Sequence, residues 1–224
     1  MSYSFIKRSF DIIAASAGLI LFSPLFILLA VALKLTGEGF IWFRQERVGY
    51  KNRVFHIYKF ATMITDSHRM AGGIITLRKD PRLTPLGGFL RATKMNELPQ
   101  MWNILNGNMS VVGPRPLMQK SFDIYPDHVK KVIYNVKPGL TGVGSIIFRD
   151  EEHLLTEIKN KGGDAWDFYK NHIYPFKGKV EQWYQTHRGL RVDCLIVIIT
   201  AWVILFPKSE AIYSIFRDLP RRPF

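Results

Sequence analysis

The chain has 224 residues, of which 47% are hydrophobic and 13% aromatic; this is too apolar for a disordered chain and high for a small cytosolic protein. A formal charge of +13, from 31 Lys and Arg against 18 Asp and Glu, calls for a polyanionic counterpart: nucleic acid, phosphorylated small molecules or an anionic membrane surface. The single cysteine, Cys194, excludes an internal disulfide framework and a multi-cysteine metal site, and reads as a small apolar residue opening a hydrophobic stretch.

Residues 12–33 carry no charge. About 20 apolar residues cross a hydrocarbon core, so the run is long enough. It is also too long for a cleaved signal peptide. Ser23-Pro24 lies in its middle, where proline removes a backbone hydrogen bond and the neighbouring serine can satisfy a freed carbonyl. Basic residues stand on both flanks, Lys7 and Arg8 before, Lys34, Arg44 and Arg47 after, and the positive-inside rule places both ends on one side. A re-entrant hairpin broken at Ser23-Pro24 reconciles these facts; a proline-kinked span is the alternative. The expected division is a membrane hairpin over 1–36 and a remainder over 37–224. The fold class expected is α/β, mostly helical: a small domain anchored by that hairpin, with amphipathic interfacial helices.

Two short strands are expected at 41–43 and 54–58, joined by a turn around Gly49-Tyr50-Lys51-Asn52. Residues 65–82, polar and containing Gly72-Gly73, read as a loop, and 86–93 as a short helix. Asn96-Glu97-Leu98-Pro99 reads as a helix start with Asn96 as N-cap, whose free N–H groups can receive an anion; the helix stops at Asn106-Gly107. Helices are expected at 127–135, 152–159 and parts of 165–188. The apolar stretch at about 194–206 is too short to span, which leaves an interfacial, membrane-associated helix or a helix of a soluble core.

No glycine-rich dinucleotide fingerprint, Walker loop or zinc-protease pattern is present. What stands out is a density of phosphate-compatible groups: Lys59 at the end of the second strand, Arg82 within Asp80-Pro81-Arg82-Leu83-Thr84, Asn96-Glu97, Arg115 within Gly113-Pro114-Arg115-Pro116, and Arg149 before Asp150-Glu151-Glu152. Prolines on both sides of Arg115 stiffen the loop, with a cis peptide as one option, and the planar guanidinium suits phosphate oxygens. Taken singly, each is equally well a solvated charge, a stiff loop or a helix cap.

Together these residues resemble the bacterial sugar transferases, the monotopic phosphoglycosyl transferases. The likeness runs over about 5–150 through ordered blocks: Lys7-Arg8-Ser9-Phe10-Asp11 with Ser23-Pro24, then Phe43-Arg44-Gln45-Glu46-Arg47-Val48-Gly49 and Phe55-His56-Ile57-Tyr58-Lys59-Phe60. Asp80-Pro81-Arg82-Leu83-Thr84 with Leu90-Arg91, Glu97-Leu98-Pro99-Gln100 with Asn103, Met109-Ser110, Val112-Gly113-Pro114-Arg115-Pro116 and Lys137-Pro138-Gly139-Leu140-Thr141-Gly142 complete it. The resemblance implies transfer of a sugar 1-phosphate from a UDP-sugar to polyprenyl phosphate, the first membrane step of exopolysaccharide, capsule or glycoconjugate assembly. It further implies an aspartate nucleophile, Mg²⁺ beside an Asp-Glu pair, and a place on the cytoplasmic face of the bacterial inner membrane among anionic lipids. Lys59, Arg82, Arg115 and Arg149 are then phosphate-binding residues. Nucleic-acid binding by the basic-aromatic stretch 43–60 is set aside, and a homodimer is left open.

One departure matters. Asn96 stands where the family keeps its nucleophile, and an amide oxygen lacks the anionic charge for attack. Glu97 then becomes the favoured catalytic carboxylate, with Asn96 and Glu97 as the oxygen ligands of the metal. A carboxylate among Asp150-Glu151-Glu152, an engineered inactive variant, or a membrane protein that binds nucleotide-sugar or lipid phosphate without turnover are the alternatives. A smaller departure is Ala61, where the family usually has arginine.

Overall fold

In this computed structural model, residues 3–36, 38–68 and 80–224 are described. The chain opens with two helices, α1 (Tyr3–Leu21) and α2 (Ser23–Thr36), bent by 59° at the break. The bend has the cause read from the sequence: Pro24 has no N–H to give, and Ser23 Oγ donates to Ile20 O at 2.8 Å. No single helix among the described residues is long and apolar enough to cross a membrane, but this bent pair passes the test together by length and composition.

Both limbs pack on the rest of the protein. Three charged side chains fasten the start of α1. Lys7 Nζ donates to Asp193 at 2.7 Å and to Val112 O at 2.9 Å, Arg8 donates to Ile104 O and Leu105 O at 2.6 and 2.8 Å, and Asp11 accepts from Ser110 Oγ and Val111 N. Further along, Ala15 packs with Ile57, Met101 and Ile104. The second limb, α2, returns to the domain through Leu29 and Leu33, which pack on Phe60 and Leu90. Fully burying such a leucine contributes roughly 1.5–3 kcal/mol, so the return of α2 is a packed contact. The opposite face of the pair stays apolar and exposed, with Ile13, Ile20, Leu21, Ile27, Leu28 and Leu35 open to the outside.

Strands β1 (Trp42–Val48) and β2 (Val54–Phe60) form an antiparallel hairpin; β1 starts one residue later than expected, and both strands run on past their expected C-terminal ends. Its turn holds Lys51 and Asn52 in the left-handed region (φ 54° and 57°). Part of the expected loop, 69–79, lies outside the described residues; Thr65–His68 forms a 3-10 turn. Next come α3 (Gly87–Ala92), a 3-10 segment (Met95–Gln100), α4 (Met101–Leu105), β3 (Ser110–Val112), α5 (Gln119–Phe122), α6 (Asp127–Ile133) and β4 (Gly139–Thr141), the last parallel to β3. Gly107 at φ 79° ends α4 as expected. The C-terminal part is helical: α7 (Val143–Ile147), α8 (Glu151–Asn160), α9 (Ala165–Phe168), a π-helical turn (Tyr169–Ile173), α10 (Tyr174–His187), α11 (Leu190–Leu205) and α12 (Ala211–Ile215).

The largest core lies among these C-terminal helices, with Ile146, Ile173, Val180, Tyr184, Ile196 and Ile199 fully enclosed. Helix α11 begins earlier than its apolar run. Ile196, Ile199 and Val203 face the core, while Ile198, Trp202, Leu205 and Phe206 are exposed. Cys194, also on α11, is exposed and not a core residue.

Glycines set the junction that carries Arg115. A Cβ on Gly139 would lie 2.1 Å from Gly113 N, and one on Gly113 would lie 2.3 Å from Lys137 O. Both contacts are with backbone, which cannot step aside as a side-chain tip does. Gly139→Ala is therefore expected to destabilise the fold by about 3 kcal/mol, measured as a lowered urea midpoint at unchanged slope.

Candidate active site

Period-two alternation in the hairpin brings the first residues together. Opposed pairs share a face of an antiparallel sheet, and here Phe43 opposes Lys59, Gln45 opposes Ile57 and Arg47 opposes Phe55. Lys59, Ile57 and Arg47 thus look the same way, into a cleft closed by Glu97, Gln100, Arg115, Pro116 and Gly139. Asn103, fully buried on α4, fixes the hairpin against the acidic segment: its amide donates to His56 O at 2.6 Å and accepts from Tyr58 N at 3.0 Å.

Glu97 is the centre of the cleft. Lys59 Nζ donates to Glu97 Oε1 at 2.7 Å, and Arg115 Nη2 donates to the same oxygen at 2.9 Å. Arg115 Nη1 reaches Oε2 at 3.5 Å. Burial opposes charge on Glu97, but Arg115 and Lys59 outweigh it and hold the carboxyl well below its ordinary value. Arg115 is correspondingly raised by Glu97. For Lys59 the balance goes the other way: burial, helped by Arg115 and Arg47, outweighs Glu97 and lowers the ammonium from 10.5 to about 8. Burial and Arg115 likewise bring Arg47 down to about 10. Three cations around one carboxylate leave a net positive cleft, which suits a diphosphate.

The sign of the Lys59 shift gives a pH expectation. An ammonium here attracts an anion and the neutral amine does not, so if Lys59 captures an anionic donor, kcat/KM should fall as pH rises through about 8. The fold releases this proton before the unfolded chain does, so the same ionisation makes folding more favourable between about 8 and 10.5. A pH profile of kcat/KM beside a melting curve separates the two: activity should fall there while this contribution to stability rises.

The Arg115 loop is held from behind. Tyr134 OH donates to Arg115 O at 2.8 Å and accepts from Leu117 N at 2.9 Å, and Tyr134 is itself buried. All described peptide bonds are trans, so the rigidity comes from these contacts and the two prolines, not from a cis peptide.

Several expectations need correction. Asn96 is not an N-cap. The 3-10 segment starts after Lys94, which sits at φ 59°, and Asn96 lies inside it with its Oδ1 bonded to no backbone N–H. Glu97 N is bonded to Lys94 O, the first hydrogen bond of the segment. Arg149 is not in the cleft. It donates to Ile146 O, Pro207 O and Ser209 O, tying the exit of α11 to α7. Arg82 pairs with Asp80 through both Nε and Nη2, at 2.9 and 2.7 Å. Asp150 pairs with Arg222, and Glu151 with Lys177. Ala61 is buried just beyond β2. Arg47, Gln100 and Tyr134 belong to the site and were not singled out; strand alternation was the available signal for Arg47, and none marked Tyr134.

Among the described residues no group of three His, Cys, Asp or Glu could cage a metal ion. The cleft nevertheless has hard oxygens to offer. Asn96 Oδ1 is buried without a hydrogen-bond partner, and Glu97 Oε2 has only the 3.5 Å contact. Mg²⁺ takes one or two protein oxygens and completes its shell with substrate phosphates and water, so this donor pair fits it in the company of a diphosphate.

The family model described as bacterial sugar transferase matches residues 2–207. The exopolysaccharide production protein ExoY of Rhizobium meliloti (strain 1021) is 33% identical over 187 residues, covering 76% of this chain and 82% of ExoY. An Aeromonas hydrophila UDP-N-acetylgalactosamine-undecaprenyl-phosphate N-acetylgalactosaminephosphotransferase is 40% identical over 147 residues, 65% of this chain. A Klebsiella pneumoniae UDP-glucose:undecaprenyl-phosphate glucose-1-phosphate transferase is 40% identical over 158 residues, 69% of this chain. The chain spans only 34% of the length of each of the latter two. The protein belongs to the bacterial sugar transferase family.

Proposed function

We propose that this phosphoglycosyl transferase moves a sugar 1-phosphate from a UDP-sugar to polyprenyl phosphate at the cytoplasmic face of the bacterial inner membrane. The observation that carries the reading is the Lys59–Glu97–Arg115 triplet in a net cationic cleft. Lys59 and Arg115 bind the donor diphosphate and stabilise charge on its oxygens as the bond between the two phosphates breaks. Glu97 orients both cations, and Arg47 adds positive charge to the wall. Mg²⁺, held by Asn96 Oδ1 and Glu97 when bound, would offset charge on the diphosphate.

The membrane placement rests on the α1–α2 pair. Both limbs pack on one domain, the bend falls between them, and their outer faces are apolar. We therefore favour a re-entrant hairpin with both ends cytoplasmic. The exposed α11 tip, with Trp202 and Phe206, lies at the headgroup level beside anionic lipids. In a Cys194→Ser background, single cysteines at Ser9 and Thr36 should both be labelled by an impermeant maleimide in inverted membrane vesicles and neither in intact spheroplasts. Labelling of the two on opposite sides would mean a span.

The catalytic reading is tested by screening UDP-sugars for UMP release with polyprenyl phosphate and Mg²⁺. Release from at least one donor is expected. Thermal stabilisation by donors without any UMP would instead support a non-catalytic binding protein, the reading that Asn96 keeps alive.

A further inference from the structure

We propose that α1 is a working part of the site and not only its tether: Lys7 and Asp11 are positioning residues that hold β3, and through it Arg115, against the cleft; this rests on the reading of Arg115 as a donor-binding residue. Strand β3 leads straight into the Arg115 loop, with Gly113 and Pro114 alone between Val112 and Arg115. It has one strand neighbour, β4. Polar groups that β4 does not meet must find partners elsewhere, and α1 supplies them. Asp11 Oδ1 accepts from Ser110 Oγ at 2.9 Å and from Val111 N at 2.8 Å, and Lys7 Nζ donates to Val112 O at 2.9 Å. Each of the three residues of β3 is thus bonded to a side chain of α1. Lys7 and Asp11 stand four apart, on one face of that helix.

The grip is stiff at both ends. Asp11 is 2% exposed and Ser110 fully buried, so neither can exchange the other for water. Lys7 is fixed in turn by Asp193 at 2.7 Å, on which Tyr3 OH and Tyr184 OH converge at 2.8 Å each.

Little slack lies between this grip and the guanidinium. Gly113 N donates to Thr141 O at 3.0 Å, and Pro114 O accepts from Gly139 N at 2.9 Å. Prolines on both sides of Arg115 restrict the backbone further. A displacement of β3 therefore carries through to Arg115, whose fork meets Glu97 at 2.9 and 3.5 Å. Misplacing a substrate-positioning group by about 1 Å can cost about 100-fold in rate. Tyr134 holds the loop from its far side, at Arg115 O and Leu117 N, and α1 holds it from the near side.

The test is a double-mutant cycle on the full chain in lipid nanodiscs, reading kcat/KM for the UDP-sugar found in the donor screen. Asp11→Ala is expected to lower it by about 10- to 100-fold. Asp11→Asn keeps an acceptor oxygen for Val111 N and should recover most of that loss. In an Arg115→Ala background the same Asp11→Ala change should cost less than about threefold, because the group it positions is gone. Lys7→Met leaves Asp193 its two tyrosine donors and should show the same pattern, which keeps the test open where Asp11→Ala does not fold. The folded fraction and the seating of α1 are read separately, by melting temperature and maleimide accessibility. If Lys7 and Asp11 only dock the helix, the losses will follow the folded fraction and multiply equally in both backgrounds. That result overturns the positioning role while the transferase assignment stands. Absence of lipid-linked product from the parent with every donor overturns both.

Discussion

Glu97→Gln is expected to reduce transfer by about 1,000-fold or more and, separately, to destabilise the fold by about 3–5 kcal/mol. The substitution keeps size and shape but removes the charge on which Lys59 and Arg115 converge. Arg115 is 42% exposed and can turn to water, whereas Lys59 is 13% exposed and cannot. Its remaining escape is to lose its proton, which burial already favours. Glu97 is what holds this ammonium up in the parent, so Lys59 of the variant releases its proton at a lower pH than the parent's about 8; the stability loss should therefore shrink as pH rises towards about 8 and stay level above it, a dependence that loss of packing alone would not produce. Adding Lys59→Met removes the stranded charge. The double variant should regain much of the stability and none of the activity, and chemical denaturation with a UMP-release assay reads both.

Arg115→Ala should lower kcat/KM for the donor by about 100- to 1,000-fold, the range expected for removing one electrostatic contact to a transferring phosphoryl group. Arg115→Lys is the sharper variant. It keeps the positive charge but loses the planar fork that now engages both Glu97 oxygens. If the fork positions the diphosphate, lysine should recover little of the loss. If Arg115 contributes only field, lysine should recover most of it. The loop itself should survive both substitutions, because Tyr134 holds it through backbone atoms of Arg115 and Leu117 and not through the guanidinium.

How far the sequence carried the structure depends on whether a feature is local. The break at Ser23-Pro24 was legible because proline acts on its own backbone, and the hairpin because alternation and a turn lie within twenty residues. Lys59, Glu97 and Arg115 were each singled out, and the blocks that carry them do converge. The role of Asn96 was misread. Asparagine before Glu-Leu-Pro is a sound N-cap by propensity, but Lys94 in the left-handed region starts the 3-10 segment two residues early and turns Asn96 inward. Arg149 was misplaced for a different reason. Its partners are carbonyls at 207 and 209, almost sixty residues away, and nothing in its local sequence announces a helix exit there. Tyr134 was invisible on the same grounds: its function lies in two backbone contacts made across the fold.

On the proposed function, the cation pair centred on Glu97 grips a nucleotide-sugar diphosphate while its sugar-bearing phosphate goes to lipid. The most direct measurement follows a UDP-sugar labelled with radioactive phosphorus at the β position through a single turnover with polyprenyl phosphate, for the parent chain and for Lys59→Met. Label is expected in the organic phase with the parent, unlabelled UMP in water, and transfer at least about 100-fold slower for the variant. Label that stays in the aqueous phase, or a Lys59→Met protein that transfers as fast as its parent, would contradict it.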